Sequence, residues 1–368
     1  MAADQITYLV VGGCGFLGHH IVSQLSENHT GTVAVFDLRT DRNRLPGATY
    51  YEGDITSASD VDSVLGKVKP QVLIHTVSPL AMQHNKPLFD KVNIHGTENL
   101  IERAGKSGFV KAFVFTSSAS VVHDGIHDLV NVDETTPVLY WPEQTEYYSH
   151  TKAVAESRVL EANRRYGDML TCAIRPSGIY GEGDVQALPG FLKVLEEGKH
   201  NWQIGSNENQ FDWTYVGNVA HAHILAARAL LHTHTMSITP LNHEKVDGEA
   251  FFVTNDETAG FWDFPRQIWK TAGWNGSAED AWVIPRGAGI VIALLLEWIY
   301  WIVFFGTKES IFTVQRVRFT TMYRSFDISK AKQRLGYMPI VSQKEGIDRG
   351  VKAYFKERKR TSMGSKEK

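Results

Sequence analysis

Residues 6–18 read Ile6-Thr7-Tyr8-Leu9-Val10-Val11-Gly12-Gly13-Cys14-Gly15-Phe16-Leu17-Gly18, an apolar run ending in closely spaced glycines. Such a short, continuously apolar run is the pattern of a buried strand, and Phe16–Glu27 continues with helical periodicity. Gly12, Gly15 and Gly18 form GxxGxxG at the strand-to-helix turn. The first permits the tight turn, the next lets the backbone approach a pyrophosphate, and the last lets helix and strand pack closely. The helix N-terminus offers free N–H groups and positive potential to phosphates.

Outward from this turn, Asp37 closes the next strand-like run, Val33–Asp37, 19 residues past Gly18. A carboxylate there accepts both ribose hydroxyls and repels a 2′-phosphate, so NAD is expected over NADP. Arg39 and Arg42 are near enough to work against that preference. Asp54, in Gly53-Asp54-Ile55, is placed either to reach an adenine edge or to hold a turn. Val72–His75, Phe113–Thr116 and Thr171–Arg175 read as further strands, between helical stretches at Ser59–Val68, Leu88–Lys106 and Glu143–Tyr166. The alternation predicts an α/β fold, a doubly wound parallel (Rossmann) sheet covered on both faces with right-handed crossovers. After about Val185 it gives way to a Trp-, His- and Pro-richer stretch, which predicts a smaller mixed C-terminal lobe. The expected division is 1–184 for the NAD-binding domain with the catalytic residues, 185–355 for a substrate lobe interleaved with returning sheet elements, and 356–368 for a charged, solvated tail.

The 368 residues are 43% hydrophobic and 21% charged, which excludes a disordered or fibrous chain. Thirty-eight basic against 41 acidic side chains leave a formal charge of −3, so no polycation field holds nucleic acid. Cys14 and Cys172 are too few and too far apart for a disulfide framework or zinc site, and His221-x-His223 and His232-x-His234 have no partner at ligand spacing. These histidines are expected on the surface or lining helices, and no metal is expected. No leader-like segment precedes the first strand, so the sequons at Asn28 and Asn275 are expected to stay unglycosylated.

Tyr148-Ser149-His150-Thr151-Lys152 places Tyr148 and Lys152 four residues apart, on one helix face. A nearby ammonium favours the phenolate and suits the tyrosine to proton transfer. Thr116-Ser117-Ser118 ends a parallel strand, at the sheet edge where such folds bind ligands. The constellation implies carbinol oxidation: Tyr148 takes the proton, Ser118 orients the oxygen, and Lys152 holds the ribose and biases Tyr148. Tyr147, five residues from Lys152, falls off that face.

These residues resemble the extended short-chain dehydrogenases, and within them the 3β-hydroxysteroid dehydrogenase family. VVGGCGFLGHHIV, GDIT, VNIHGTENLI, FTSSASVV, YYSHTKAVAE, IRPSGIYGEGD, FDWTYVGNVAHAHILAA and FDISKAKQRLGYMPIVSQKEGI follow in that family's order, from Ile6 to Phe355. The resemblance implies catalytic roles for Ser118, Tyr148 and Lys152. It also implies cofactor contacts at Gly12, Gly15, Phe16, Leu17, Gly18, Asp37, Asp54, Ile55, Thr76, Asn93, Lys152, Pro176 and Ser177. Asn93 matches an asparagine that orders a water beside the lysine, and Pro176 and Ser177 match a loop against the nicotinamide.

Two branches are open. A decarboxylating sterol-4α-carboxylate 3-dehydrogenase makes a ketone β to the C4 carboxylate, which then leaves as CO₂. A 3β-hydroxysteroid dehydrogenase with Δ5–Δ4 isomerisation needs a further proton shuttle that the sequence does not identify. The first is preferred, by resemblance in the TSSASV and C-terminal segments. A tailoring dehydrogenase of triterpenoids and a non-catalytic NAD-sensing scaffold are the other readings, and sugar-nucleotide epimerases share the fold.

Residues 287–306, GAGIVIALLLEWIYWIVFFG, hold one charge, Glu297. At 1.5 Å per residue the run matches a hydrocarbon core of about 30 Å, at a cost of roughly 2.5–3.5 kcal/mol for a central charge. Because the resembled C-terminal segment packs back on the domain that precedes the run, a membrane-resting helix is expected instead of a span. The expected setting is the cytosolic face of the endoplasmic reticulum membrane, with a bilayer-borne sterol or steroid substrate. The block of motifs also leaves room for a homodimer and partners in sterol demethylation.

Overall fold

A computed structural model describes residues 5–28, 31–81, 85–305, 307–308 and 310–364. Gly306 of the apolar run and residues 29–30 of the Asn28 sequon lie outside them. The glycine turn joins β1 (Thr7–Val11) to α1 (Phe16–Glu27), and β2 (Thr32–Asp37) and β3 (Ala48–Glu52) follow. After α2 (Ala58–Val68) come β4 (Val72–His75) and, further on, β5 (Ala112–Thr116). With Leu170–Pro176 and Glu249–Val253 these strands build one parallel sheet in the order Glu249–Val253, Leu170–Pro176, β5, β4, β1, β2, β3. The order reverses between β1 and β4, where Val11 pairs with His75, and such a reversal opens a crevice at the carboxyl edge.

Alternate residues of β1 feed two cores. Tyr8 and Val10 face α1 and the long helix Val216–Thr235, packing with Ile21, Leu25, Val219 and Ala226. Leu9 and Val11 face the opposite side, packing with Val61, Leu65, Leu100 and Val159. The strands are thus buried on both faces, which is why they read as unbroken apolar runs.

The stretch expected as one helix over Leu88–Lys106 is three: α3 (Lys86–Phe89), a π-helical turn at Asp90–Gly96, and α4 (Thr97–Ser107). The π turn brings Asn93 inward, where Asn93 is buried and donates to Thr151 Oγ1 at 3.0 Å. A later helix, α5, spans Tyr147–Glu161, shorter at both ends than the expected Glu143–Tyr166. Glu156 of α5 pairs with Arg175 of the neighbouring strand at 2.5 Å, both side chains almost fully buried.

Residues beyond 185 contribute to both sheets. Glu249–Val253 joins the large sheet, while Leu129–Val132, Arg324–Phe326, Gln210–Phe211 and Ala259–Gly260 form a small mixed sheet. The helix Gln343–Gly364 runs on into the charged tail, where residues 356–360 are exposed and Arg358 pairs with Glu196.

Candidate active site

The glycine turn is as tight as the spacing predicts. Gly12 has φ +85°, and a Cβ there would stand 2.7 Å from Thr76 Oγ1; one on Gly18 would stand 2.2 Å from the Gly12 carbonyl oxygen. The N-cap of α1 is Gly15, which offers no side-chain cap, so the first-turn N–H groups remain for an anion. Phe16 and Leu17 begin that turn, and Thr76 at the end of β4 donates to the Val11 carbonyl at 3.0 Å. Asp37 accepts the Cys14 N–H at 3.0 Å, which aims its carboxylate across the mouth of the glycine turn. Buried Asn93 keeps an enclosed Oδ1 with no hydrogen-bond partner. A cradle without room for side chains, an uncapped helix start and an orphaned acceptor beside α5 all fit a bound dinucleotide.

Asp54 is occupied as a turn anchor. Its Oδ1 accepts the Thr56 N–H at 2.8 Å and its Oδ2 lies 3.6 Å from Lys91 Nζ. Burial pushes its pKa up, but the Thr56 bonds and Lys91 outweigh that and hold it low. Ile55 is buried against Gly96, and its carbonyl takes the Asn99 amide at 2.7 Å. Pro176 pairs in register with Val253, and the Ser177 hydroxyl donates to the Asp212 carbonyl at 2.7 Å, so that hydroxyl is already spoken for.

At the end of β5, Ser118 and Ser120 share a 2.7 Å hydroxyl–hydroxyl bond, and Ser149 of α5 donates to Ser120 at 2.9 Å. This chain ties Ser118 to the first turn of the helix that carries Tyr148. Gln144, fully buried, braces the same loop by donating to the carbonyls of Ser120 and His123 at 3.1 and 2.7 Å. Tyr147 points away: its hydroxyl donates to Asp90 at 2.7 Å.

Lys152 Nζ donates to the Thr116 carbonyl at 2.8 Å and sits 4.8 Å from the Phe115 ring centroid. Burial lowers its pKa to about 7, against the pull of Glu156. Burial pushes the Tyr148 phenol up to about 12; a bond from Ser78 and the charge of Arg324 oppose the rise, and Glu146 adds to it. Lys152 is turned toward the β5 carbonyl, while Arg324 comes from the small sheet. Ser78, Gln144 and Arg324 escaped the sequence reading. Arg324 is 176 positions from Tyr148, and only the small sheet brings it near.

His223, expected on a surface or lining a helix, is a core residue. Its Nε2 bonds Thr116 Oγ1 and its Nδ1 the Val219 carbonyl, each at 2.8 Å. His75, equally buried, bonds Thr97 Oγ1 at 3.0 Å.

Solved structures share this architecture along nearly the whole chain. UDP-glucose 4-epimerase of Thermotoga maritima aligns with a TM-score of 0.67 at 22% identity, covering 95% of this chain and 99% of that one. The dTDP-glucose 4,6-dehydratase of Bacillus anthracis aligns with a TM-score of 0.68 at 19% identity, covering 96% and 98%. The class is therefore the extended Rossmann fold. Within it, the chain belongs to the 3-beta hydroxysteroid dehydrogenase/isomerase family, whose profile matches residues 9–286. Sterol-4-alpha-carboxylate 3-dehydrogenase, decarboxylating, of Saccharomyces cerevisiae is 39% identical over 350 residues, 93% of this chain and 95% of that protein. The human protein of the same name is 35% identical over 355 residues (94% and 87%). The 3beta-hydroxysteroid-dehydrogenase/decarboxylase isoform 1 of Arabidopsis thaliana is 36% identical over 361 residues (94% and 79%).

Proposed function

We propose that this chain is an NAD-dependent dehydrogenase that oxidises the 3β-hydroxyl of a 4α-carboxysterol and releases the C4 carboxylate as CO₂. One observation carries the reading: Ser118 is tied through Ser120 and Ser149 to the turn of α5 that carries Tyr148, and Lys152 of the same helix reaches the end of β5, in a family member whose relatives are named for this substrate. Bound NAD⁺ would supply the hydride acceptor, held by the α1 N-terminus, Asp37 and the Lys152 side. Tyr148 Oη takes the proton of the 3β-hydroxyl, and Ser118 holds that oxygen in place. In the resulting β-keto acid the bond from C4 to the carboxyl carbon breaks. Its electron pair moves into the enolate whose oxygen lies between Tyr148 and Ser118, and Tyr148 returns a proton to it. No separate decarboxylating base is needed.

The helix Arg286–Phe304 supports a membrane-resting role. Its mean hydropathy is 2.0 over an 18-residue window that is only 11% buried, so it is no core helix. Gly289 and Ala293 face the protein, while Trp298 is 70% exposed, Trp301 68% and Phe305, just past the helix, 90%. Glu297 lies toward the protein, accepting the Val314 N–H at 3.0 Å at the start of the helix Val314–Thr321. Trp282–Ile284 before the helix and Arg324–Phe326 after it both pair with strands of the same body. We place this face on the cytosolic leaflet of the endoplasmic reticulum membrane, where a bilayer-borne sterol is within reach.

The test is product analysis by mass spectrometry with NAD⁺ and either a 4α-carboxysterol or a Δ5-3β-hydroxysteroid. The reading expects a decarboxylated 3-ketone from the former and little turnover of the latter. A Δ4-3-ketone as the better product would favour the isomerising branch.

A further inference from the structure

Arg324 stands where the chemistry of Tyr148 meets the C-terminal lobe. It opens the strand Arg324–Phe326, paired across to Leu129 on one side and Phe211 on the other. Its guanidinium carbon lies 5.8 Å from the Phe211 ring centroid and 6.0 Å from that of Phe319, so aromatic faces fix its direction. Its Nε is enclosed and has no hydrogen-bond partner. Among the described residues no carboxylate pairs with it. Glu146 acts on it only at a distance, its own Oε1 being held by Gln315 at 2.8 Å. The charge of Arg324 reaches the Tyr148 phenol and the imidazole of His123.

A half-buried guanidinium that forgoes water without an anionic partner is costly, by several kcal/mol in general. Among the described residues, buried Arg175 pairs with Glu156, and buried Lys152 at least donates to the Thr116 carbonyl. An unpaired arginine next to a catalytic hydroxyl therefore calls for an anion that arrives with the substrate. On the proposed substrate the carboxylate is carried by the carbon adjacent to the one bearing the reacting hydroxyl. Once that hydroxyl is on Tyr148, the carboxylate has to lie within the same small volume. Arginine's planar fork suits a carboxylate, since two parallel N–H···O bonds fix both position and plane.

We infer that Arg324 is a specificity-determining residue that binds the C4 carboxylate of the sterol beside Tyr148, an inference that rests on the function proposed above. The pairing acts on recognition and on the oxidation step. It does not drive loss of CO₂, because a guanidinium stabilises the carboxylate more than the neutral CO₂ that leaves. Arg324 also lies close in sequence to the apolar helix. The helix Val314–Thr321, seated on Glu297, supplies Phe319 to Arg324 and Gln315 to Glu146 at the head of α5. A substrate arriving along that face would have its acidic end met by Arg324 as its hydroxyl reaches Tyr148.

The experiment uses the purified full chain with NAD⁺ in detergent micelles. A 4α-carboxysterol, its methyl ester and the corresponding sterol without the carboxyl are compared by kcat/KM. For the wild-type chain the free acid should be preferred over the methyl ester by roughly 10–100-fold, mostly through KM. In Arg324→Gln the preference for the carboxysterol over the carboxyl-free sterol should fall by a similar factor, and Arg324→Lys should restore only part of it. NAD⁺ binding and melting temperature report folding, and the wild-type ester comparison stands even if both variants unfold. Equal losses of Arg324→Gln on both sterols, or a wild-type chain indifferent to esterification, would overturn the inference while leaving 3β-oxidation intact. A wild-type chain that oxidises none of the sterols would instead overturn the proposed function, and the inference with it.

Discussion

Tyr148 and Lys152 show how little a spacing says about electrostatics. Four residues on a helix put both side chains on one face, yet the Lys152 ammonium is held by the Thr116 carbonyl, and the charge of Arg324 reaches the phenol. With its phenol at about 12, Tyr148 is protonated at rest in the free chain and depends on the assembled site to give up its proton. Tyr148→Phe is expected to lower kcat by roughly 10²–10⁴-fold, while NAD⁺ binding measured by fluorescence titration stays within about twofold. Near wild-type turnover would mean that another group is the base. Asp37 carries the cofactor preference: kcat/KM should favour NAD⁺ clearly over NADP⁺, and Asp37→Ser should narrow the gap. Comparable wild-type values for the two cofactors would show Arg39 or Arg42 overriding the carboxylate.

At the scale of elements, α5 is held to the sheet by a device that no periodicity reveals. Glu156 and Arg175 are buried 4% exposed or less and lie 2.5 Å apart. Removing one partner leaves the other charge stranded, so Glu156→Gln should cost about 3–5 kcal/mol in urea unfolding. A loss under about 1 kcal/mol would mean that water already reaches the pair. The strands and α1 were legible because burial on both faces leaves a continuous apolar run, and because a glycine turn has few alternatives. The π turn at Asp90–Gly96 was not, since one extra residue per turn hardly disturbs helical periodicity over a short stretch. Glu297 was misleading in isolation: it looked like a charge in a bilayer but caps the next helix, a contact set by tertiary packing.

For the whole molecule, two buried histidines make stability depend on pH. Burial, with Lys152 adding to it, holds His75 down at about 3; burial likewise holds His223 at about 4, the Val219 bond opposing and Lys152 reinforcing. In the unfolded chain both titrate near 6.5, so between about pH 6.5 and pH 4 the unfolded state binds more protons. The contribution of these two histidines is therefore full above that window and falls as pH drops through it, by up to about 2.7 kcal/mol per pH unit for the two sites. Urea unfolding at pH 7.5 and 5.5 should differ by about 2–3 kcal/mol, and His223→Gln should flatten the slope by about half. A pH-independent midpoint would contradict buried neutral imidazoles. The apolar helix belongs to this scale as well. With tags at both termini, protease should digest both in intact microsomes, whereas protection of the C-terminal tag alone would mean a true span. Fold and glycine turn were readable along the chain because each is local. Arg324 was not, because its place beside Tyr148 exists only once the small sheet has formed.

The central claim is that oxidation at C3 and loss of the C4 carboxylate belong to one active site. The most direct measurement supplies a 4α-carboxysterol labelled with ¹³C at the carboxyl carbon, with NAD⁺, and follows NADH and ¹³CO₂ together. Both are expected in equal amounts, and Tyr148→Phe should lower both by the same factor, roughly 10²–10⁴-fold. NADH formation with the label retained in a 3-keto acid would contradict it.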